Sequence, residues 1–194
     1  MGFSETESDS RHSIGRTYVL TRTALFTALV TLGRLGFAFL PNVQPMTVLI
    51  VCITLYYGWK TGLAVSVLSV LLSNIYLGMG PWTLAQIIAF SVLVGLTNLL
   101  RNRHHQMPLV VLQIFTGVLG MLYGLIISVV QAPFFGWNIL VPYYLSGLFF
   151  DIMHAGGNIV FLAILYPLTM NLFCRMEAKR TFISSRGKKG EKNE

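Results

Sequence analysis

Six apolar stretches run along the chain, and short breaks of glycine, proline or polar residues separate them. A helix needs roughly 20 apolar residues to cross a bilayer core, and the second and third stretches would cross only with tilt or shielding. The pattern predicts a bundle of six transmembrane helices. Their expected bounds are about 18–39, 46–59, 63–77, 83–100, 109–130 and 143–173.

The longest break is SNIYLGMGPWTLAQ at residues 73–86, which contains no charged side chain. Its two glycines and its proline allow the backbone to turn sharply, and its amides and indole offer hydrogen bonds and an aromatic face. The stretch is therefore predicted to be a ligand-binding loop between two membrane helices. The contacts expected from it are Asn74, Met79, Trp82 and Gln86.

Two further breaks also lack charge. The segment PNVQP holds Asn42 and Gln44 beside two prolines, which prevent a regular helix there. The segment 131–142 carries Trp137 among other aromatic residues, and Tyr144 follows it. These side chains are predicted to contact a neutral polar ligand, although the amides would serve equally as helix caps and the rings as a membrane-interface belt.

The composition supports a membrane protein. Of the 194 residues, 54% are hydrophobic and 11% are charged, whereas about 25% of residues are charged in soluble domains. We therefore predict an all-α integral membrane protein of one domain, surrounded by lipid. Its expected parts are a flexible cytoplasmic N-terminal tail over 1–16, a six-helix transmembrane domain over 17–175 and a basic cytoplasmic C-terminal tail over 176–194.

The net charge of +7 follows membrane topology and does not indicate nucleic-acid binding. Basic residues lie at Lys60, in the segment 101–105 and in the C-terminal tail, while the amide-bearing breaks have none. Cytoplasmic loops carry an excess of Lys and Arg, so both termini are predicted to be cytoplasmic in the plasma membrane. The adjacent His104 and His105 point to different sides with no carboxylate or thiol nearby, so no metal site is predicted.

Two charges fall inside the predicted helices. Arg34 lies about one turn from the end of the first helix, and Asp151 shares one face of the last helix with His154 and Asn158. A buried charge is costly without a partner, so we predict an Arg34–Asp151 ion pair that lines or braces the site. Snorkelling of Arg34 to the interface is an equal alternative. Asp151 and His154 are also expected to line the ligand cavity.

Small side chains recur on the first helix. Ala24 and Ala28 are four residues apart, which places both on one face and lets another helix approach closely. Ordinary packing within the bundle and docking to a partner both fit this spacing.

Several of these segments together resemble a known family. PNVQPMT, SNIYLGMGPWTLAQ and the Ala24-x-x-x-Ala28 spacing are similar to motifs of the substrate-binding S components of energy-coupling factor (ECF) vitamin transporters. The resemblance covers residues of about 18–175 and is strongest to the cobalamin-specific branch. It implies six short helices that capture a vitamin, a corrinoid such as cobalamin or cobinamide, from outside.

The resemblance also implies partners. An S component topples in the membrane while docked on a transmembrane coupling subunit that two ATP-hydrolysing subunits drive, and Ala24 and Ala28 match the docking motif. The chain has no Gly-x-x-x-x-Gly-Lys-Ser/Thr phosphate loop, so ATP is expected to be used by the partners and no cofactor is expected in this chain.

Three other functions remain open. The chain could be an S component for a different vitamin. It could be a small proton-coupled transporter with Arg34, Asp151 and His154 as an intramembrane relay. A membrane enzyme would need an activated nucleophile, a metal cluster or facing carboxylates, and one Asp near one His is little support for it. No catalytic residues are therefore predicted.

Overall fold

The fold is known from a computed structural model that describes residues 3–190, with side chains over residues 16–181. Within that range the chain forms six α-helices joined by short connections, two of which contain a 3₁₀ turn. The predicted all-α class is confirmed over this range. The helices are α1 (Phe3–Gly36), α2 (Met46–Tyr57), α3 (Trp59–Leu77), α4 (Pro81–Leu100), α5 (Leu109–Phe135) and α6 (Leu140–Gly190).

Helix α2 lies at the centre of the bundle. Every residue from Met46 to Leu55 is buried, and α2 touches all five other helices. The reason is its sequence, which is apolar on all sides and so has no face suited to water. With 12 residues it is about 18 Å long, shorter than the roughly 30 Å of a bilayer core.

The connection from α2 to α3 is a single residue. We predict a turn over 58–62, but only Gly58 is non-helical, and α3 begins at Trp59. The prediction is wrong because Gly58 alone reverses the chain, with a φ of 89° that favours glycine. Gly62 then packs against the Thr54 side chain, where a Cβ atom would overlap it.

The helix bounds predicted around the stretch 73–86, an end at 77 and a start at 83, are close to those in the structure. Helix α3 continues to Leu77 and α4 begins at Pro81, so only residues 78–80 are non-helical. Proline suits the first position of a helix because its missing N–H would have no partner there. The ligand contacts predicted from this stretch therefore lie mostly on helix ends rather than on a mobile loop.

The last two helices are longer than the apolar pattern predicts. Helix α5 passes through Pro133 to end at Phe135, and α6 is one helix of 51 residues that contains Pro167. Gly156, Gly157 and Pro167 all lie within α6, which continues through them without a break. Close packing joins the two helices, since Gly117, Gly120 and Gly124 of α5 each face α6 without room for a side chain.

The outer surface of the bundle is apolar. Leu99, Val110 and Ile114 are among many large hydrophobic side chains that are exposed, and Leu99 is 74% exposed. Four helices, α3 to α6, are long and apolar enough to cross a membrane, and α2 is a shorter apolar helix. These features support a membrane protein, while the six-span count and the cytoplasmic termini stay predictions.

The two ends of the bundle differ in charge. The end that contains residues 37–45, 78–80 and 136–139 has no charged residue in these connections, and we call it the amide end. The other end, which we call the basic end, carries Arg101 and Arg103 in a connection and Lys60 in the first turn of α3.

At the basic end, α1 and α6 are joined by polar contacts. Arg22 is buried between the Tyr57 ring, 3.8 Å from its guanidinium carbon, and the Glu177 carboxylate, 3.1 Å from its Nη1. The Tyr18 hydroxyl also donates to Glu177 over 3.2 Å. The predicted division into two tails and a central domain stays a prediction, and the side chains of 1–15 and 182–194 lie outside the described residues.

Candidate functional site

The amide end holds two hydrogen-bond networks. One joins the end of α1 to the end of α3 and the start of α4, and the other joins the segment before α2 to α6. Both contain residues predicted from the sequence to bind ligand.

The first network is built around Arg34. Its guanidinium is turned into the bundle, where Nη1 donates to the Ser73 hydroxyl over 2.7 Å and Nη2 donates to Gln86 Oε1 over 3.3 Å. Arg34 is 7% exposed, so it does not snorkel to the interface. The Ser73 hydroxyl in turn donates to the carbonyl of Ser69.

Asn74, the residue directly after Ser73, belongs to the same network. Its amide nitrogen donates to Gln86 Oε1 over 2.8 Å and to the Thr83 hydroxyl over 2.9 Å. Asn74 is almost fully buried, so it positions Gln86 rather than facing outward. The guanidinium can only donate, so the oxygen of Gln86 faces it, and the Asn74 NH₂ group donates to the same oxygen. The NH₂ group of Gln86 then has the Tyr123 hydroxyl as its partner.

The Arg34–Asp151 ion pair is not formed among the described residues. Arg34 bonds to Ser73 and Gln86 instead, and Tyr123 interacts electrostatically with both charges. Asp151 is 5% exposed and makes no hydrogen bond or ion pair within the described chain. Its carboxylate fills the space at Gly124, where a Cβ atom would overlap it.

The second network is centred on His154. Its Nδ1 lies 2.8 Å from the carbonyl oxygen of Asn42, and its Nε2 lies 3.0 Å from the Thr47 hydroxyl. A carbonyl can only accept, so Nδ1 carries the proton and Thr47 donates to Nε2. The Asn42 amide donates to the Phe150 carbonyl over 3.4 Å, and Asn42 has a positive φ of 55°, which asparagine tolerates. The segment before α2 is thus fastened to α6.

Side chains at the surface of the amide end, several of them aromatic, form a rim that is partly exposed. Trp82 is 43% exposed, and its indole N–H donates to the Gly78 carbonyl over 3.3 Å. Met79 and Trp137 are also exposed, while Gln44 and Tyr144 are half-buried. Of the predicted contacts, these side chains and Gln86 are at the surface, whereas Asn74, Asp151 and His154 are buried.

A cleft lies at this end between α5 and α6. Its empty volume is about 160 Å³, and Gln131, Phe135 and Tyr143 are among the residues that line it. The Gln131 amide donates to the Tyr143 hydroxyl over 3.3 Å. The cleft has no room for a water molecule, so it is not a preformed pocket of the kind that binds small molecules.

Away from the amide end, two other predicted features have clear positions. Ala24 and Ala28 lie on the exposed side of α1, while Phe26, Thr27 and Val30 of that helix are buried. This arrangement leaves the two alanines free of the bundle and removes packing within the bundle as the explanation of their spacing.

The histidine pair at the basic end is only half solvated. His105 is exposed, but His104 is 2% exposed, and its Nδ1 lies 2.5 Å from the carbonyl of Arg101. Burial lowers the pKa of His104. Across the described residues no group of three His, Cys, Asp or Glu side chains could hold a metal ion.

Sequence reasoning missed several residues that organise the site. Ser73, Thr83 and Thr47 bind Arg34, Asn74 and His154 respectively. Hydroxyl residues in apolar helices usually bond to their own helix, so nothing in the sequence separates these three from Thr97 or Ser91, which do so.

The fold and the site define the class of protein. A bundle of apolar helices with an apolar surface, two polar networks at one end and basic loops at the other is an integral membrane protein that can present a binding site at one face.

The family follows from sequence comparison. The chain matches the family "ECF transporter, substrate-specific component" over residues 19–176 and belongs to it. Members of this family are membrane-embedded transport subunits, not enzymes, that act with the other components of an ECF module and with a substrate. The resemblance predicted from the motifs is confirmed at this level, and the cobalamin branch stays a prediction. No match was found among curated proteins or among solved structures.

Proposed function

We propose that this S component captures a vitamin, most specifically a corrinoid such as cobalamin or cobinamide, at the outer face of the plasma membrane. It then delivers the vitamin by toppling on a coupling subunit that two ATP-hydrolysing subunits drive. The observation that carries the proposal is the amide end, where half-buried Gln86 and exposed Trp82 lie about one helical turn apart on a rim without charged residues. The charge-free connections face outward under the positive-inside rule.

The chemistry of this end suits a large, amide-fringed ligand. Gln86 is held by Arg34 and Asn74 at the surface, and Trp82, Trp137 and Tyr144 offer apolar faces for a corrin ring. The cleft between α5 and α6 has no room for a water molecule and so none for a corrinoid, and capture requires the connections at 37–45, 78–80 and 136–139 to open around the ligand.

A proton-coupled transporter is less well supported. Arg34 bonds to Ser73 and Gln86, while His154 bonds to Asn42 and Thr47. Among the described residues no hydrogen bond links Arg34, Asp151 and His154 into a relay. Uptake by the purified chain alone in vesicles under a proton gradient would nevertheless overturn the S-component mechanism.

The direct test is ligand binding to the purified full chain. We expect cobalamin or cobinamide to bind, and riboflavin, folate and pantothenate to bind much more weakly or not at all. Trp82→Ala and Gln86→Ala should each weaken capture about tenfold, which corresponds to ~1.4 kcal/mol. Trp59→Ala is the matched control, because Trp59 is equally exposed but lies at the basic end. Binding of riboflavin, folate or pantothenate in preference to both corrinoids would remove the corrinoid proposal.

A further inference from the structure

Arg34 has unused binding capacity. A guanidinium carries five N–H donors and no acceptor, and Arg34 uses one donor for Ser73 and one for Gln86. The other three make no hydrogen bond to any described residue. A group outside the described chain, either water or ligand, can therefore meet these three donors, since buried polar groups are normally satisfied.

The charge of Arg34 is also unbalanced. Both acceptors that it contacts are neutral, and among the described residues it forms no ion pair. The ionisable side chain that interacts with it electrostatically is Tyr123, which is neutral near pH 7. Asp151 forms no ion pair with it. A buried cation without an anion is costly, and an anion that enters the site would relieve that cost.

The position of Arg34 connects it to the proposed ligand contacts. Gln86 accepts from Arg34 and is itself half-buried, so the network reaches the surface at this residue. Any group that displaces or joins the Arg34–Gln86 bond therefore contacts a residue that is predicted to bind ligand. The guanidinium fork matches the paired oxygens of a phosphate or carboxylate.

We propose that Arg34 is the anion-recognising residue of the site, and that it receives a phosphate group of the captured ligand. This inference rests on the proposed function, because it places the phosphate on the vitamin. Cobalamin carries a phosphodiester and cobinamide does not, so Arg34 would make the chain prefer cobalamin. A phospholipid headgroup offers the same chemistry, and the two sources are separated by the choice of detergent.

The first experiment compares the two corrinoids in a maltoside detergent without phospholipid. Arg34→Gln should weaken cobalamin binding roughly tenfold to a hundredfold and change cobinamide binding far less, so that the wild-type preference is lost. Arg34→Lys keeps the charge without the planar guanidinium fork, so its cobalamin affinity should lie between those of the wild-type chain and Arg34→Gln. Arg103→Gln removes an exposed charge at the basic end and should leave both affinities unchanged.

A second experiment does not depend on the corrinoids. Inorganic phosphate should raise the thermal unfolding midpoint of the wild-type chain more than that of Arg34→Gln, with chloride at equal ionic strength as the reference. The comparison between variants removes the general stabilisation by phosphate.

The outcomes separate the two proposals. An equal loss of both corrinoids in Arg34→Gln would mean that Arg34 only positions Gln86, and unchanged cobalamin binding would mean that water alone meets its donors. Either result overturns this inference and leaves the corrinoid proposal standing. If neither corrinoid binds the wild-type chain, the corrinoid proposal fails. The inference about Arg34 is then decided by the phosphate-induced shift of the thermal unfolding midpoint alone. A shift that depends on Arg34 then supports the inference, and its absence overturns it.

Discussion

The imidazole of His154 accepts a hydrogen bond from the Thr47 hydroxyl over 3.0 Å, and both residues are buried. The other ring nitrogen carries the proton and donates to the Asn42 carbonyl. The nitrogen that faces Thr47 is therefore unprotonated. The start of α2 and the middle of α6 are therefore joined through one ring in one tautomer.

Replacing Thr47 with valine should destabilise the fold by about 1–3 kcal/mol, because a buried ring nitrogen loses its only donor. The midpoint of thermal unfolding in detergent measures the effect. Thr97→Val is the control, since that buried hydroxyl donates to a carbonyl of its own helix. Equal losses of stability in the two variants would show that the hydrogen bond to His154 contributes no more than a hydrogen bond within one helix.

Gly124→Ala should cost about 1–3 kcal/mol through overpacking, because the new methyl group would overlap the Asp151 carboxylate. Thermal unfolding again measures the change. Gly95→Ala, at a helical glycine with open space around it, should be neutral or slightly stabilising. Adding Asp151→Ala should rescue Gly124→Ala, and a double variant as unstable as the single one would contradict the packing explanation.

Bulky residues on the exposed face of α1 should separate docking from capture. Ala24→Trp and Ala28→Trp are expected to abolish assembly with the coupling subunit, because helices can no longer approach closely there, while ligand affinity stays unchanged. Co-purification of the ECF module and ligand titration measure the two properties. Val118→Trp enlarges an exposed residue of α5 and should preserve both. Assembly that survives at Ala24 and Ala28 would place the docking face elsewhere.

Stability should fall in mild acid because of His104. Burial lowers its pKa in the folded state, so the unfolded chain binds the proton more readily. Its contribution to stability is complete above about pH 6.5, the unfolded value, and is lost as the pH falls towards the lower folded pKa. His104→Gln should flatten this part of the curve of unfolding midpoint against pH. His105→Gln should not, because His105 is exposed.

The sequence predicts a helix well where the length of an apolar stretch determines it. The six apolar stretches correspond to α1 to α6, and the polar residues at 42, 74 and 86 do gather at one end. Helix ends are predicted less well, because local signals such as Pro133 are overridden when the helix packs against a neighbour. The turn at 58–62 is too long in the prediction for the opposite reason, since one glycine with positive φ replaces a loop.

The partners of the buried charges could not be predicted. The positions of Arg34 and Asp151 along their helices place them at a similar depth in the membrane and suggest an ion pair. Rotation about each helix axis, however, decides which side chains face one another. Arg34 faces Ser73 and Gln86, while Asp151 faces Gly124. Neutral acceptors give no charge pattern in a sequence, so their role appears only with the three-dimensional arrangement.

The burial of α2 has a consequence for the order of assembly. This helix is the second to be synthesised, yet α6 is one of the helices that enclose it, and His154 of α6 holds its first turn. Until the last third of the chain has entered the membrane, α2 must be covered by lipid or by whatever assists insertion. The helix at the centre of the mature protein is therefore among the first to be made and the last to reach its final surroundings.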